Sequence, residues 1–327
     1  MTAEPLIAVR GVHKRFPVRR SALDWLLRRE VLAVQALAGV DLDINRGETL
    51  GVVGESGCGK STLARCLVRL LEPDEGLIRF DGKPTDDRSR EGRRRFHRRV
   101  QITFQDPYSA LNPRMTVRQV LAEALAVHRM RPASGFPSRI AELLDLVRLP
   151  QDAADRLPHA FSGGQRQRIG IARALAVEPD VLVADELVSA LDVSVQAQVI
   201  NLLLDLQGRL GLTVVFVAHD LRLVRHISHR VAVMYLGRVV EVGPTEALFS
   251  GPVHPYTVAL LAAAPDLNPR RRTTRAATLG ELPSPLAIPP GCPYQTRCPF
   301  VFDRCRTERP VLTEHTPGHA AACHRPA

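Results

Sequence analysis

Three stretches of the chain place reactive residue types at fixed spacing. Gly54-Glu55-Ser56-Gly57-Cys58-Gly59-Lys60-Ser61, followed by Thr62, fits the pattern G-x-x-x-x-G-K-[ST] in full. Its glycines let backbone N–H groups curl around phosphate oxygens, and the helix expected after it adds a positive dipole end. Lys60 is placed to reach the outer phosphates of a nucleoside triphosphate, and Ser61 to offer a hydroxyl to Mg²⁺. The run Val181-Leu-Val-Ala-Asp185-Glu186 ends in two carboxylates. Asp185 is placed to hold Mg²⁺ directly or through water, and Glu186 to polarise an attacking water. The third stretch carries Cys292, Cys298, Cys305 and Cys323, separated by 5, 6 and 17 residues. Four thiolates suit a zinc site or a [4Fe–4S] cluster; spacing does not choose, and free thiols remain a third reading. His315, His319 and His324 are close enough in sequence to compete as ligands. Cys58 and Cys66 read as packing residues.

These groups need rigid elements behind them. Glu48–Gly54 is a continuous apolar run suited to a fully buried strand, and it leads directly into the glycine loop. Leu63, Leu67, Leu70 and Leu71 then recur at helical spacing, with Pro73 and Gly76 as stops. Leu6–Val12 and Ala36–Ile44 alternate as half-buried strands, with residues 19–34 as an insertion between them; Leu77–Gly82 and Val100–Gln105 are further strands. From Asp106 to about Pro179 the pattern is helical. Strand–helix alternation returns with Val181–Glu186, a helix at Val195–Leu210, a strand at Thr213–His219 and a helix from Asp220. A hairpin at Val231–Gly243 turns at Gly237. Such alternation implies a largely parallel sheet, interrupted by an inserted helical subdomain.

Composition sets limits. The 327 residues are 45% hydrophobic and 24% charged, which suits a globular chain with a core and excludes wholesale disorder. The longest apolar run, Val258–Ala264, is too short to span a bilayer. The N-terminus lacks the apolar core of a secretory signal, so a cytosolic location is expected. A net charge of +10 attracts nucleic acid, anionic lipid or phosphorylated ligands without choosing among them. The arginine-rich run Arg88–Arg99 reads as a solvated surface, with contact to anionic lipid headgroups or a transporter loop, and to nucleic acid, as the alternatives.

Phe161-Ser162-Gly163-Gly164-Gln165-Arg166-Gln167-Arg168 resembles the signature motif of ATP-binding cassette (ABC) proteins, and the rest of that family's motif set appears around it in order. Gln105 is similar to the Q-loop glutamine, Ser189-Ala190-Leu191-Asp192 to the D-loop, His219 to the switch histidine and Phe16 to the adenine-stacking aromatic. The resemblance implies an α/β P-loop NTPase fold. That fold has a RecA-like parallel sheet core, an antiparallel β subdomain and a helical subdomain at about 106–179, all within a cassette at 1–250. It also implies ATP and Mg²⁺ (Ser61, Gln105, Asp185), catalysis by Glu186, His219 and Gln105, and head-to-tail pairing in which each signature closes over the partner's ATP. Leu187 and Val188 stand where the family usually has Pro-Thr, a departure that bears on D-loop geometry and hydrolysis rate.

The tail, 251–327, narrows the branch. GELPSPL, HPYTVALL and the cysteine pattern resemble the C-terminal extension of oligopeptide/dipeptide importer ATPases, as does SALNPRM after Gln105. That branch implies a [4Fe–4S] cluster on the four cysteines, with zinc as the alternative. It also implies a second cassette subunit, two transmembrane permease subunits and an extracytoplasmic peptide-binding protein. The chain would then work peripherally at the cytoplasmic side of the membrane. Nickel or drug transport is the alternative within transporters. A soluble nucleic-acid-associated cassette is the alternative outside them; the segment between loop and signature shows no sustained heptads, and no nucleic acid partner is expected.

Overall fold

The computed structural model describes residues 4–18, 33–104, 111–130, 132–263, 284, 286 and 288–325. Gln105 and residues 19–32 of the expected insertion at 19–34 lie outside the described residues, and Ala33 and Val34 belong to a strand instead. In chain order come β1 (Ile7–Pro17), β2 (Ala33–Ile44), β3 (Thr49–Val53), α1 (Lys60–Leu67), β4 (Glu75–Phe80), β5 (Lys83–Pro84), α2 (Arg90–Arg99) and β6 (Val100–Thr103). Then follow α3 (Val117–Val127), α4 (Phe136–Leu146), α5 (Gly163–Leu175), β7 (Val181–Asp185), α6 (Val193–Leu210), β8 (Thr213–Val217) and α7 (Leu221–Ile227). The chain continues with β9 (Arg230–Tyr235), β10 (Arg238–Pro244), α8 (Thr245–Ser250), α9 (Pro255–Ala263), α10 (Asp303–Thr307), β11 (Thr313–Thr316) and β12 (His319–Ala321). Two compact units result: Met1–Ile44, Leu50–Pro84 and His219–Ala327 form one, and Asn45–Thr49 with Thr85–Ala218 the other.

The first unit holds an antiparallel sheet in the order β2-β1-β4-β5 and the strand series β11-β12-β10-β9-β3. In the antiparallel sheet Val9 faces Leu42 on one side and Ile78 on the other, and all three are buried, as the alternating pattern requires. β3 runs parallel to β9, with Val52 opposite Ala232. Gly51 permits close packing of α7, since a Cβ there would lie 2.5 Å from Val224 and from Ser228. α1 buries Leu63, Ala64 and Leu67. It stops at Leu67, one turn short of the expected end, because Arg69 adopts a left-handed φ of 56°. The Leu70 N–H then bonds to the Arg65 carbonyl and the Arg69 N–H to Cys66, a Schellman closure that leaves Leu70 exposed.

The second unit holds β8, β7 and β6 as parallel neighbours, with Val183 opposite both Val215 and Ile102. Thr116 and Ser162 each open a helix with a reciprocal capping box, to Gln119 and Gln165. The arginine run forms α2, capped by Ser89 accepting from the Gly92 N–H, and Gly92 is its one buried residue.

The tail groups with the first unit and is fastened by Glu241 of β10, which is fully buried. Its carboxylate accepts from the Val253 N–H at 2.8 Å and the His254 N–H at 2.9 Å, and lies 2.7 Å from His319 Nε2 of β12. His254 in turn accepts the Tyr256 N–H on Nδ1 at 3.0 Å. Burial holds its pKa down at about 4. The unfolded chain therefore binds the extra proton first. This contribution to stability is complete above the unfolded value and is lost as pH falls toward 4, by up to about 3 kcal/mol for a shift from an ordinary value near 6.5. Urea unfolding at pH 7.5 and pH 5 should show that loss, and His254→Asn should flatten it.

Candidate nucleotide site

In the first unit the predicted phosphate-binding residues 54–61 form the turn between β3 and the start of α1. β3 delivers Gly54, and Gly59 caps α1 with a φ of 104°. A Cβ at Gly54 would meet the Met234 carbonyl at 2.2 Å, and one at Gly59 the Ala36 carbonyl at 2.3 Å, so both positions require glycine. The hairpin turn predicted at Gly237 also holds the loop: its N–H bonds to the Cys58 carbonyl at 2.9 Å. Lys60, 5% exposed, donates to the Gly54 carbonyl at 2.7 Å and the Glu55 carbonyl at 2.9 Å. Its Nζ lies 3.7 Å from Cys58 Sγ, and burial pushes the Cys58 thiol up. Cys58 is buried in the loop and Cys66 on α1, where burial pushes its thiol up to about 11. Phe16 stands near the end of β1 at 39% exposure, with the Lys14 ammonium 5.9 Å from its ring centre. His219 is exposed just beyond β8, and Asp220 caps α7 by accepting the Arg222 N–H at 2.9 Å.

The second unit carries the acids, the D-loop and the signature. Asp185, 5% exposed, ends β7. Glu186 follows with a left-handed φ of 49°, its N–H bonded to the Val217 carbonyl at 2.9 Å. A non-glycine residue held there costs on the order of 1–3 kcal/mol and marks a position the surroundings over-determine. The Glu186 carbonyl accepts from the Ser189 N–H at 3.2 Å and the Ser189 hydroxyl at 3.1 Å. Leu187 and Val188, the departure from the family pattern, are buried. Gln196, which sequence reasoning missed, donates to the Val188 carbonyl at 3.0 Å and the Leu191 carbonyl at 2.9 Å, fixing the D-loop from α6. The signature opens α5: Ser162 Oγ accepts the Gln165 N–H at 3.3 Å, and Gln165 Oε1 accepts the Ser162 N–H at 3.0 Å. Gly163 and Gly164 bring that helix end against Leu191 and Val195, where Cβ atoms would come to 3.1 and 2.3 Å.

A hydroxyl at Ser61 and a carboxylate at Asp185 are hard oxygen donors suited to Mg²⁺. In the tail the four cysteines are unbridged and border one small pocket together with His254 and His324. Burial pushes the Cys292 thiol up to about 11, and the other three thiolates add to the shift. Among the described residues, no three His, Cys, Asp or Glu side chains stand in an arrangement able to hold a metal ion. The donor chemistry suits a metal, whereas the present positions of the thiols do not close a ligand set.

A family model described as "ABC transporter" matches residues 37–189. The solved dimer of the ATP-binding cassette MJ0796 in a post-hydrolysis state with ADP and Pi superposes with a TM-score of 0.63 at 28% identity, covering 73% of this chain and 98% of that one. A glycine loop before α1, an acid-tipped β7 and a capped glycine pair opening α5 define an ATP-binding cassette ATPase. A second model, "Oligopeptide/dipeptide transporter, C-terminal region", matches residues 240–305. Oligopeptide transport ATP-binding protein AppF of Bacillus subtilis is 47% identical over 324 residues, 98% of this chain and 97% of its own. Dipeptide transport ATP-binding protein DppF of Haemophilus influenzae is 47% identical over 319 residues, 98% of this chain and 96% of its own. The chain belongs to the family of ATP-binding subunits of oligopeptide/dipeptide ABC transporters.

Proposed function

We propose that this chain is the ATPase that energises uptake of di- and oligopeptides by an ABC importer. The observation that carries the reading is likeness to the two peptide-transport proteins over almost the whole length, tail included. Gly54–Thr62 holds the phosphates and Phe16 stacks on adenine. Ser61, Asp185 and Gln105 hold Mg²⁺, which supplies charge neutralisation on the phosphates when bound. Glu186 accepts the proton of the attacking water, while Gln105 and His219 orient water and γ-phosphate. Ser162–Gln165 and the D-loop Ser189–Asp192 serve the ATP of a second cassette subunit. Two permease subunits and an extracytoplasmic peptide-binding protein complete the assembly, and this chain sits on its cytoplasmic face. No helix among the described residues is long and apolar enough to cross a membrane.

The finer reading of the tail is a [4Fe–4S] cluster on Cys292, Cys298, Cys305 and Cys323, with zinc as the alternative. The reading rests on the likeness of the tail to the oligopeptide/dipeptide transporter C-terminal region; the four thiols border one pocket without closing a ligand set as placed, and no catalytic step runs through the metal. One preparation tests both statements. The complex, purified anaerobically with its membrane subunits and reconstituted in vesicles, should take up labelled peptides with ATP hydrolysis, and should contain iron and acid-labile sulfide. Uptake of nickel or a drug without peptide would overturn the substrate, and absence of both iron and zinc the metal site.

A further inference from the structure

We propose that Arg297, carried by the cysteine-bearing tail, is a positioning residue for nucleotide binding that clamps Glu55 of the phosphate loop. The inference rests on the reading of Gly54–Ser61 as the phosphate cradle. Arg297 meets the Glu55 carboxylate with both ends of its guanidinium, Nη2 to Oε1 at 2.8 Å and Nη1 to Oε2 at 2.9 Å. The Arg297 side chain is 4% exposed and that of Glu55 17%, so the pair is largely shielded from water. Nη1 also donates to Tyr235 Oη at 3.3 Å, and the guanidinium carbon lies 5.7 Å from the ring centres of both Tyr235 and Tyr294.

The rest of Glu55 is held as well. Its N–H donates to Tyr256 Oη at 2.8 Å, and its carbonyl accepts from Lys60. Tyr235, Tyr256 and Tyr294 pack on one another with ring centres 4.6 to 5.5 Å apart, forming a wall behind the loop. Three of the groups in this cage come from the tail: Tyr256 on α9, and Tyr294 and Arg297 on the cysteine-bearing segment. The tail segment is itself folded by short-range bonds: the Cys292 N–H to the Cys305 carbonyl at 2.8 Å, Gln295 to Cys292 at 3.1 Å and Arg297 to Tyr294 at 3.0 Å. Cys298 follows Arg297 directly. The fold of the four-cysteine segment therefore sets where the guanidinium sits, and the guanidinium sets one edge of the phosphate loop.

The physical consequence concerns affinity. A glycine loop must order its N–H groups around the phosphates, and whatever fixes its shape beforehand lowers the cost of binding. The bidentate charge pair supplies that fixation, and a point charge cannot replace its fork geometry. Glu55 and Arg297 are not among the residues assigned to the attacking water, Glu186, Gln105 and His219, so their loss should act on binding and spare the chemical step.

The test uses the full-length chain and displacement of a fluorescent ATP analogue by MgATP, with steady-state hydrolysis alongside. Arg297→Gln should weaken MgATP binding and raise KM about tenfold, with kcat at saturation little changed, the size expected for one charge-assisted pair. Arg297→Lys should fall between. Adding Glu55→Gln to Arg297→Gln should cost little more, because the two residues act as one unit. Should Arg297→Gln fail to fold, Arg297→Lys decides: it keeps the charge but loses the bidentate fork, and should weaken MgATP about threefold. Unchanged affinity in the folded variants, a drop confined to kcat, or additive effects of Glu55→Gln and Arg297→Gln would each overturn the proposal. Lys60→Ala separates this failure from failure of the loop reading: if it too leaves affinity intact, the loop is not the phosphate cradle.

Discussion

Glu186→Gln is expected to lower ATP turnover by about 10²–10⁴-fold while leaving MgATP binding intact. Glutamine keeps the size and the backbone of the site but cannot take a proton. The backbone there is unusually well fixed. The residue sits at φ 49°, its N–H is bonded to Val217 and its carbonyl to Ser189. Those bonds belong to the main chain, so the substitution leaves them untouched and isolates the carboxylate. Single-turnover phosphate release, with nucleotide binding measured in parallel, checks the expectation. On the proposed function the variant should also accumulate as an ATP-bound pair of cassettes, since that reading makes the γ-phosphate the contact that differs between the closed and the open pair. Phosphate release at the ordinary rate would remove Glu186 from the role of general base.

The contrast between loop and clamp shows what a linear pattern reveals. Gly54–Ser61 is contiguous, and its chemistry depends on backbone N–H groups, so eight residues in a row announce it. The signature and D-loop are legible for the same reason, each being a short turn opening a helix. Arg297 lies 242 residues from Glu55, and nothing in its neighbourhood marks it as a partner of the loop. Tyr256 stands within a stretch that reads as a family mark, yet its hydroxyl binds the loop. Gln196 looks like any polar residue on α6 until its amide is seen to gather two D-loop carbonyls. The arginine run conceals a helix because repeated charge erases the apolar period that would announce one. The leucine period overstates α1 by one turn for the opposite reason. Leucine spacing continues to Leu71, but the left-handed turn at Arg69 ends the helix first.

The second large effect is expected at Gly164. The opening of α5 rests against the first turn of α6, and a Cβ on Gly164 would come to 2.3 Å from Val195 Cγ1. Val195 is β-branched and stiff, so it cannot swing its methyl aside as a long side chain would. Gly164→Val must therefore push the helix end, with Ser162 and Gly163, away from the D-loop. Misplacing a catalytic contact by about 1 Å can cost about 10²-fold in rate, and hydrolysis should fall by that order. The phosphate loop lies in the other compact unit and is not altered, so MgATP affinity of the isolated chain should change little. This pattern, binding kept and turnover lost, is also that of Glu186→Gln, but the cause is steric and a second change can relieve it. Val195→Ala removes the obstructing methyls, and Gly164→Val with Val195→Ala should recover a substantial part of the lost rate. Glu186→Gln should not be rescued by Val195→Ala. If Gly164→Val turns over normally, or Val195→Ala brings no recovery, contact between the signature helix and α6 does not set the position of Ser162.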